Sequence, residues 1–467
     1  MNELHKKTEK ITELVLKAAK KALKYTSTEP GLSSNGGVKW PVDCVVGPGL
    51  EGAIACESKI GYVNGLKGSL VYRGYHIFDL CAYSTYEEVS YLLLHGKMPT
   101  FGQLKKFKKE LIAYRKITGT LRVIQNFPIN NMNPMSALRL GTNMLRQEFT
   151  YDDREAEENH ILSAIAADED SIPMETIPMG EKHAIYEFKK KKENSKIEAD
   201  LHSAASLSSC YALIASVPSI AAAIKRIREG HFPIEPLEEL SHAANLLYMM
   251  TGKIPTPVEE RIMDISLILH ADHGMNASTF ASMVVASTLS DVYFSVGAGI
   301  AALNGPLHGG ANEKVLHMLK EIGKARKVKQ WYNKAIKNKQ KITGFGHRVY
   351  KTYDPRAIVL RPIAEYYAKK NKEASALFAT AKALEKEVVG HLGKKKGIFP
   401  NVDFYSGIVY KAMGIPPDMF TPIFAVSRVA GWTARVTEYL QHNRIFRPRA
   451  IYSGKFDKTY IPVEERK

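Results

Sequence analysis

TYEEVSYLLLHGKMPT, from Thr85 to Thr100, sets the reading of the fold. Val89, Leu92 and Leu93 recur at helical spacing on one face, and Gly96 and Pro99 supply a stop. Working outward, the same amphipathic pattern returns over Leu104 to Tyr114, Met135 to Phe149, Ala204 to Glu229, Leu237 to Met250 and Glu259 to Leu269. It continues over Asn276 to Ala286, Asn312 to Ile322, Ala357 to Lys370 and Ala376 to Val389. From Tyr86 onward the chain therefore reads as an all-α protein. Upstream, glycine-broken segments at Ile54 to Tyr62 and Ser69 to Arg73 suggest a small hairpin. Ser27 to Pro48 reads as a linker, and the first 25 residues as a polar helix carrying Glu3, Glu9 and Glu13 and no arginine. That composition argues against a mitochondrial transit peptide, no secretory signal is visible, and a cytoplasmic location is expected. Tyr151 to Asp200 is crowded with charge and poor in large apolar residues, which suggests a surface insertion.

At 467 residues the chain is too long for one compact core, and two or three domains are expected. The best membrane candidate, Ala212 to Ile224, is short and interrupted by Ser216, Pro218 and Ser219. Cys44, Cys56, Cys81 and Cys210 show no C-x-x-C spacing and read as reduced core residues. The net charge is +17, and it is unevenly placed. Residues 301–467 hold 32 Lys/Arg against 13 Asp/Glu, so the last third alone accounts for the excess. Such a region attracts nucleic acid, an acidic membrane surface or a phosphate-bearing small molecule, unless it is simply a solvated lysine-rich face. The P-loop, H-E-x-x-H and G-x-S-x-G patterns are missing.

Four clusters remain. HADHGMNASTF holds His270 and His273 at a spacing that suits either a weak metal pair or one packed and one exposed histidine. LNGPLHGGANE puts His308 just ahead of a helix start, where a neutral imidazole can donate to a developing oxyanion, or can merely be an exposed residue beside a cap. GFGHRVYKTYDPRA presents His347 between glycine turns, with Arg348, Lys351 and Arg356 close behind, a density that suits a polyanion or a basic surface loop. GIFPNVDFYSG places Asp403 in a loop among aromatic residues, where desolvation would raise its basicity; an Asx turn is the plain alternative. Arg428 and Arg447 sit in apolar or proline-bounded settings, read as semi-buried, and want a carboxylate or phosphate partner, which a structural ion pair would also satisfy. Together these residues suit general-base chemistry on an anionic, carboxylate-bearing substrate.

GLEG, YRGY, DHGMNAST, GPLHGGANE, GFGHRVYKTYDPRA, NVDFYSG, FTPIFAVSRVAGW and RPRAIY, taken together, resemble the citrate synthase family in its bacterial dimeric form, over roughly Gly47 to Gly454. The resemblance implies an all-α fold with a large domain that a smaller one closes over. The expected division is an N-terminal helix and linker over 1–36, a large domain over 37–308 (with the insertion 151–200), a small domain over 309–406 and a large-domain return over 407–467. It implies that Asp403 removes a methyl proton from acetyl-CoA, that His308 stabilises the enolate oxygen and that His347 polarises the oxaloacetate carbonyl. It assigns His273, Arg356 and Arg428 to oxaloacetate, and Arg447 to the site of the partner subunit in a homodimer. Lys351, and more weakly Arg348, would meet coenzyme A phosphates. No cofactor and no metal is implied, acetyl-CoA being a substrate, and neither a nucleic acid nor a membrane is an expected partner. Two alternatives stand beside this: a 2-methylcitrate synthase using propionyl-CoA, and a basic nucleic-acid-binding protein without a recognisable binding signature.

Overall fold

The Thr85 hydroxyl accepts the Glu88 N–H while the Glu88 carboxylate accepts the Thr85 N–H, and Gly96 ends the same helix in the left-handed region at φ 78°. This reciprocal cap satisfies two otherwise orphaned donors. Thr100 with Gln103 and Thr256 with Glu259 repeat it. The structure, a computed structural model, describes residues 3–25, 40–150, 206–456 and 458–466. The charged stretch 151–200 and the linker residues 26–39 lie outside the described residues.

In chain order, α1 (Glu3–Ala22) precedes a three-stranded antiparallel sheet, β1 (Gly61–Asn64), β2 (Ser69–Tyr72) and β3 (Tyr75–His76). Gly61 faces Tyr72 and Val71 faces His76 across the ladder. The hairpin forms, but its first strand is Gly61–Asn64 rather than Ile54 to Tyr62, because Gly65 to Gly68 make the turn. Helices follow: α2 (Ile77–Tyr83), α3 (Tyr86–His95), α4 (Phe101–Ala113), α5 (Thr118–Asn126), α6 (Pro134–Thr150), α7 (Leu207–Arg228), α8 (His242–Thr251), α9 (Pro257–His270), α10 (Ala277–Ser287) and α11 (Val292–Leu303). Then come α12 (Ala311–Ile322), α13 (Val328–Lys337), α14 (Pro355–Ala368), α15 (Lys372–Val388), α16 (Asp403–Ala412) and α17 (Phe420–Leu440). The protein is all-α with one small sheet.

Two helices run through the core. In α7 every residue from Ser209 to Lys225 is buried, and in α17 every residue from Phe420 to Val436. A helix apolar all round has to be covered all round, and α6, α10 and α11 supply that cover. Among the described residues α7 alone has the length and apolarity to cross a membrane, and 89% of that stretch is buried inside the protein. A second group, α12 and α14 to α16, packs mainly on itself, with α13 against α15. Helix α1 buries Ile11, Val15, Ala18 and Ala22 along one stripe and packs against α2, α9 and α14, so it joins both groups. Of the cysteines, Cys81 and Cys210 are buried, Cys56 is half-buried and Cys44 is exposed, so the core expectation fails for Cys44.

Candidate active site

The core helix α17 builds one wall. Arg428, Gly431 and Arg435 recur at helical spacing and face the turn that ends α9. Gly431 is needed there: a Cβ would stand 2.2 Å from the Ala271 carbonyl oxygen. Arg428 donates through Nε to the His270 carbonyl, and Arg435 forks onto Asp272 with two 2.7 Å bonds. His273 is thereby held, almost fully buried, with its Nε2 3.1 Å from the Tyr350 hydroxyl. Burial keeps its imidazole well below the usual range, and nearby Arg356 and His347 add to this. Its neighbour His270 points elsewhere, bonding the Ser266 carbonyl through Nδ1 and packing on Phe424.

A second wall is assembled by backbone pairing between two glycine-bracketed loops. Phe345 bridges to Pro400, the Gly346 N–H donates to the Phe399 carbonyl at 2.9 Å, and the Asn401 N–H donates to that of Gly344 at 2.9 Å. Gly344 takes φ 83°, a conformation that favours glycine, and a Cβ there would meet Phe404 at 2.8 Å. The pairing is antiparallel, so the chain leaves this short ladder towards His347 at one end and towards Asp403 at the other. The turn between β1 and β2 adjoins it, as the Lys351 N–H donates to the Gly65 carbonyl at 3.0 Å.

His347 Nδ1 accepts from the Val349 N–H at 3.0 Å and the Tyr350 N–H at 3.2 Å. That assigns the ring proton to Nε2, which is left free to donate. Burial holds this imidazole at about 4; Asp354 opposes the shift, and Arg356 and Lys351 add to it. His308 follows the Gly305–Pro306 turn, ahead of α12. Its Nε2 lies 2.9 Å from the Ser278 hydroxyl and accepts the Ser278 N–H at 3.3 Å, which assigns the proton to Nδ1. Burial lowers it to about 4 and Arg428 contributes. Desolvation, more than the helix terminus, therefore keeps this ring neutral.

Asp403 is the first residue of α16, not a loop residue, since Val402 already has helical dihedrals. Burial pushes its carboxyl up to about 7; Arg356 pulls it down less strongly, and Asp354 adds to the rise. Arg356 is buried in a fork onto Asp354, Nε to Oδ1 at 3.0 Å and Nη2 to Oδ2 at 2.7 Å. Burial opposes its charge, but Asp354 more than restores it. Arg428 has no comparable relief: burial lowers it to about 10, and its buried Nη2 has no hydrogen-bond partner among the described residues. An unpaired buried guanidinium nitrogen calls for an anion.

His273, His308, His347, Arg356, Arg428 and Asp403 are linked by these hydrogen bonds, ring contacts and mutual fields. Arg447 is not among them. Expected to be semi-buried, it is exposed in the segment beyond α17, because that segment runs over the surface. Lys351 and Arg348 are exposed at the rim, Arg348 in an ion pair with Glu51 at 3.3 Å. The sequence reading passed over Ser278, Tyr350 and Asp354. Asp354 had a signal, a carboxylate two residues before a candidate substrate arginine; for Ser278 only the capping pattern around Asn276 stands out, whose side chain accepts the Ser278 and Thr279 N–H groups. Among the described residues no group of three or more His, Cys, Asp or Glu is placed to hold a metal ion.

The model of the family described as "Citrate synthase, C-terminal domain" matches residues 49–449. A citrate synthase of Deinococcus radiodurans is 42% identical over 423 residues, covering 90% of this chain and 99% of the relative. The crystal structure of citrate synthase from Pyrobaculum aerophilum superposes with a TM-score of 0.74 at 40% identity, covering 94% of this chain and all of that one. The citrate synthase of Thermoplasma acidophilum, solved as a ternary complex with carboxymethyl coenzyme A and oxaloacetate, matches with a TM-score of 0.72 at 32% identity over 88% of this chain and 97% of that one. Agreement of this extent along nearly the whole chain, with helices in the same arrangement, has one meaning: the chain belongs to the citrate synthase family.

Proposed function

We propose that this enzyme condenses acetyl-CoA with oxaloacetate and water to give citrate and CoA, with Asp403 as the base. The observation that carries this is a desolvated carboxyl raised to about 7 that shares the fields of Arg356 and Asp354 with His347, beside a second neutral imidazole, His308, in the field of Arg428; among the described residues the proton-bearing nitrogen of neither ring has a hydrogen-bond partner. A thioester methyl is a poor carbon acid. A carboxylate with a pKa near 7 takes its proton more readily than an ordinary one, and about half of it is still ionised at pH 7. His308 Nδ1–H donates to the enolate oxygen as charge develops there, and being neutral it needs no solvent to reorganise. His347 Nε2–H donates to the ketone oxygen of oxaloacetate, drawing charge from the carbonyl carbon. The methylene carbon attacks that carbon, and the new alkoxide is protonated. Water then cleaves the citryl thioester and releases CoA.

Arg356 and Arg428 suit the two carboxylates of oxaloacetate, and Arg428 Nη2 gains a partner that it lacks among the described residues. His273, held by Tyr350, adds a polar contact beside them. Lys351 and Arg348 suit the phosphates of coenzyme A, with Arg348 exchanging its exposed Glu51 partner. We read 309–406 as the small domain, closing over the large domain formed by 37–308 and 407–467, and closure excludes water from the enolate. We assign Arg447 to the site of a second copy in a homodimer. Its exposure supports this, as do the exposed Ile445, Ile451, Tyr452 and Phe456 in the same segment, apolar surface that a partner chain would cover.

Thiol release with acetyl-CoA plus oxaloacetate, and identification of citrate as the product, tests this reading. No release, or a strong preference for propionyl-CoA, overturns it.

A further inference from the structure

Helix α1 begins and ends ahead of residue 49, where the family match starts, and it forms with α14 a cleft of about 150 Å³. A cavity of roughly this size accepts one benzene ring. Its walls have two characters. Tyr25, Tyr353, Ala18, Ile358 and Pro362 offer rings and apolar carbon. Lys17, Lys21 and Arg361 offer positive charge. The wall's one carboxylate, Glu385, is already satisfied: it accepts from Arg361 Nε at 2.9 Å, from the Tyr405 hydroxyl at 2.5 Å and from the Tyr353 hydroxyl at 3.2 Å. Lys17 reaches only an exposed Glu13 at 3.3 Å, a pair of little strength, and Lys21 makes no ion pair among the described residues. The cleft is thus an apolar pocket with surplus positive charge at its rim.

The same walls adjoin catalytic elements. Tyr353 precedes Asp354, Pro400 is the residue bridged to Phe345 in the ladder behind His347, and Tyr405 lies two residues beyond Asp403. The Tyr25 carbonyl also accepts the Thr352 hydroxyl at 3.1 Å. Because α1 packs on α14 from one helix group and on α2 and α9 from the other, a body wedged against it bears on their relative position.

We propose that this cleft is a second small-molecule site, which takes a single-ring or similarly compact amphipathic anion, and that its occupancy alters the affinity for oxaloacetate. The binding site stands on its own; the coupling to oxaloacetate rests on the citrate synthase reading. The ring lies against Tyr25, Tyr353 and Pro362, and the carboxylate or phosphate faces Lys17 and Lys21. Binding at the cleft changes the closure equilibrium only by its differential affinity for the two states.

Phenyl phosphate is the probe, titrated calorimetrically into the full-length protein with CoA and oxaloacetate saturating, so that the active site is filled. The expected result is one site per chain, at least tenfold weaker in Lys17→Glu/Lys21→Glu and absent in Ala18→Trp, with inorganic phosphate and phenol each binding much more weakly. The two lysines are exposed, so their exchange leaves the fold intact if Ala18→Trp does not. Equal binding in wild type and the lysine variant, or inorganic phosphate binding as tightly as phenyl phosphate, overturns the site. In steady-state assays phenyl phosphate should shift the oxaloacetate KM at least twofold in wild type and not in the lysine variant. Binding without that shift overturns the coupling, whereas binding with no CoA release under any condition marks failure of the functional reading instead.

Discussion

Asp354 grips Arg356 through both carboxylate oxygens, and its Oδ2 also accepts the Val402 N–H at 3.2 Å, one residue ahead of Asp403. One buried carboxylate thus ties a proposed oxaloacetate ligand to the helix start that carries the proposed base. Burial alone would raise Asp354, but Arg356 holds it below the ordinary carboxylate range, so it stays charged at neutral pH.

Asp354→Asn should therefore affect binding and stability together. Breaking a buried pair leaves an uncompensated guanidinium, and the loss should be about 3–5 kcal/mol in urea unfolding. The oxaloacetate KM should rise more than kcat falls. Unchanged stability with an unchanged KM would show that Asp354 is not a positioning residue.

For Asp403 the expected pH dependence follows from its raised pKa, about 7. The base must be ionised, so kcat/KM should fall tenfold per unit as pH drops below about 7. His308 and His347, near 4, should contribute nothing to that limb between pH 5 and 8. The stability argument has its own sign. A carboxyl that holds its proton more tightly folded than unfolded favours folding at low pH, and that contribution is lost as pH rises from about 4 to about 7. Asp403→Asn should lower kcat by about a thousandfold while raising stability at pH 8 by roughly 1–2 kcal/mol. A rate profile flat down to pH 5.5 would remove Asp403 as the base.

Ser278→Ala takes away the hydroxyl 2.9 Å from His308 Nε2 and leaves only the longer backbone bond to fix the ring. Loss of such an orienting contact should reduce kcat about ten- to a hundredfold, with the oxaloacetate KM nearly unchanged. A KM effect without a kcat effect would argue that the serine serves substrate binding.

Arg447→Ala should weaken oxaloacetate binding at least tenfold if the residue reaches a partner's site. Mixing it, after dissociation and reassociation, with Asp403→Asn should restore part of the activity, because one of the two sites in a mixed dimer is then intact. Activity that stays at the level of the two parents after subunit exchange would place Arg447 outside any shared site.

Most of the helices could be read from the amino acids because their signals are local. Apolar residues at helical spacing, a threonine cap at Thr85 or Thr256, and a glycine stop at Gly96 act within a turn or two. The proposed site residues could be singled out because His308 and His347 each stand beside a glycine, and Asp403 three residues after Pro400, in otherwise helical sequence. Their surroundings were less so. Asp403 reads as a loop residue because Pro400 precedes it, yet the Asn401 side chain accepts its N–H and the helix begins at once. Arg447 reads as semi-buried from its neighbours, yet it lies exposed where the chain leaves the core. The first strand of the hairpin slipped because glycines between Gly61 and Gly68 blur a pattern with a period of two.

By itself, the order of amino acids determined which segments are helices, which faces are apolar and which polar side chains lack a local reason to exist, since each of these depends on neighbours along the chain. Only the folded chain decided which of those side chains meet, how dry each becomes and which nitrogen of each imidazole carries the proton. Those properties depend on atoms distant in sequence, such as the Ala271 carbonyl against Gly431, the Ser278 hydroxyl against His308 and the Phe399 carbonyl against Gly346. Desolvation and hydrogen bonding are set by all the groups packed around a site, and no local pattern encodes that sum.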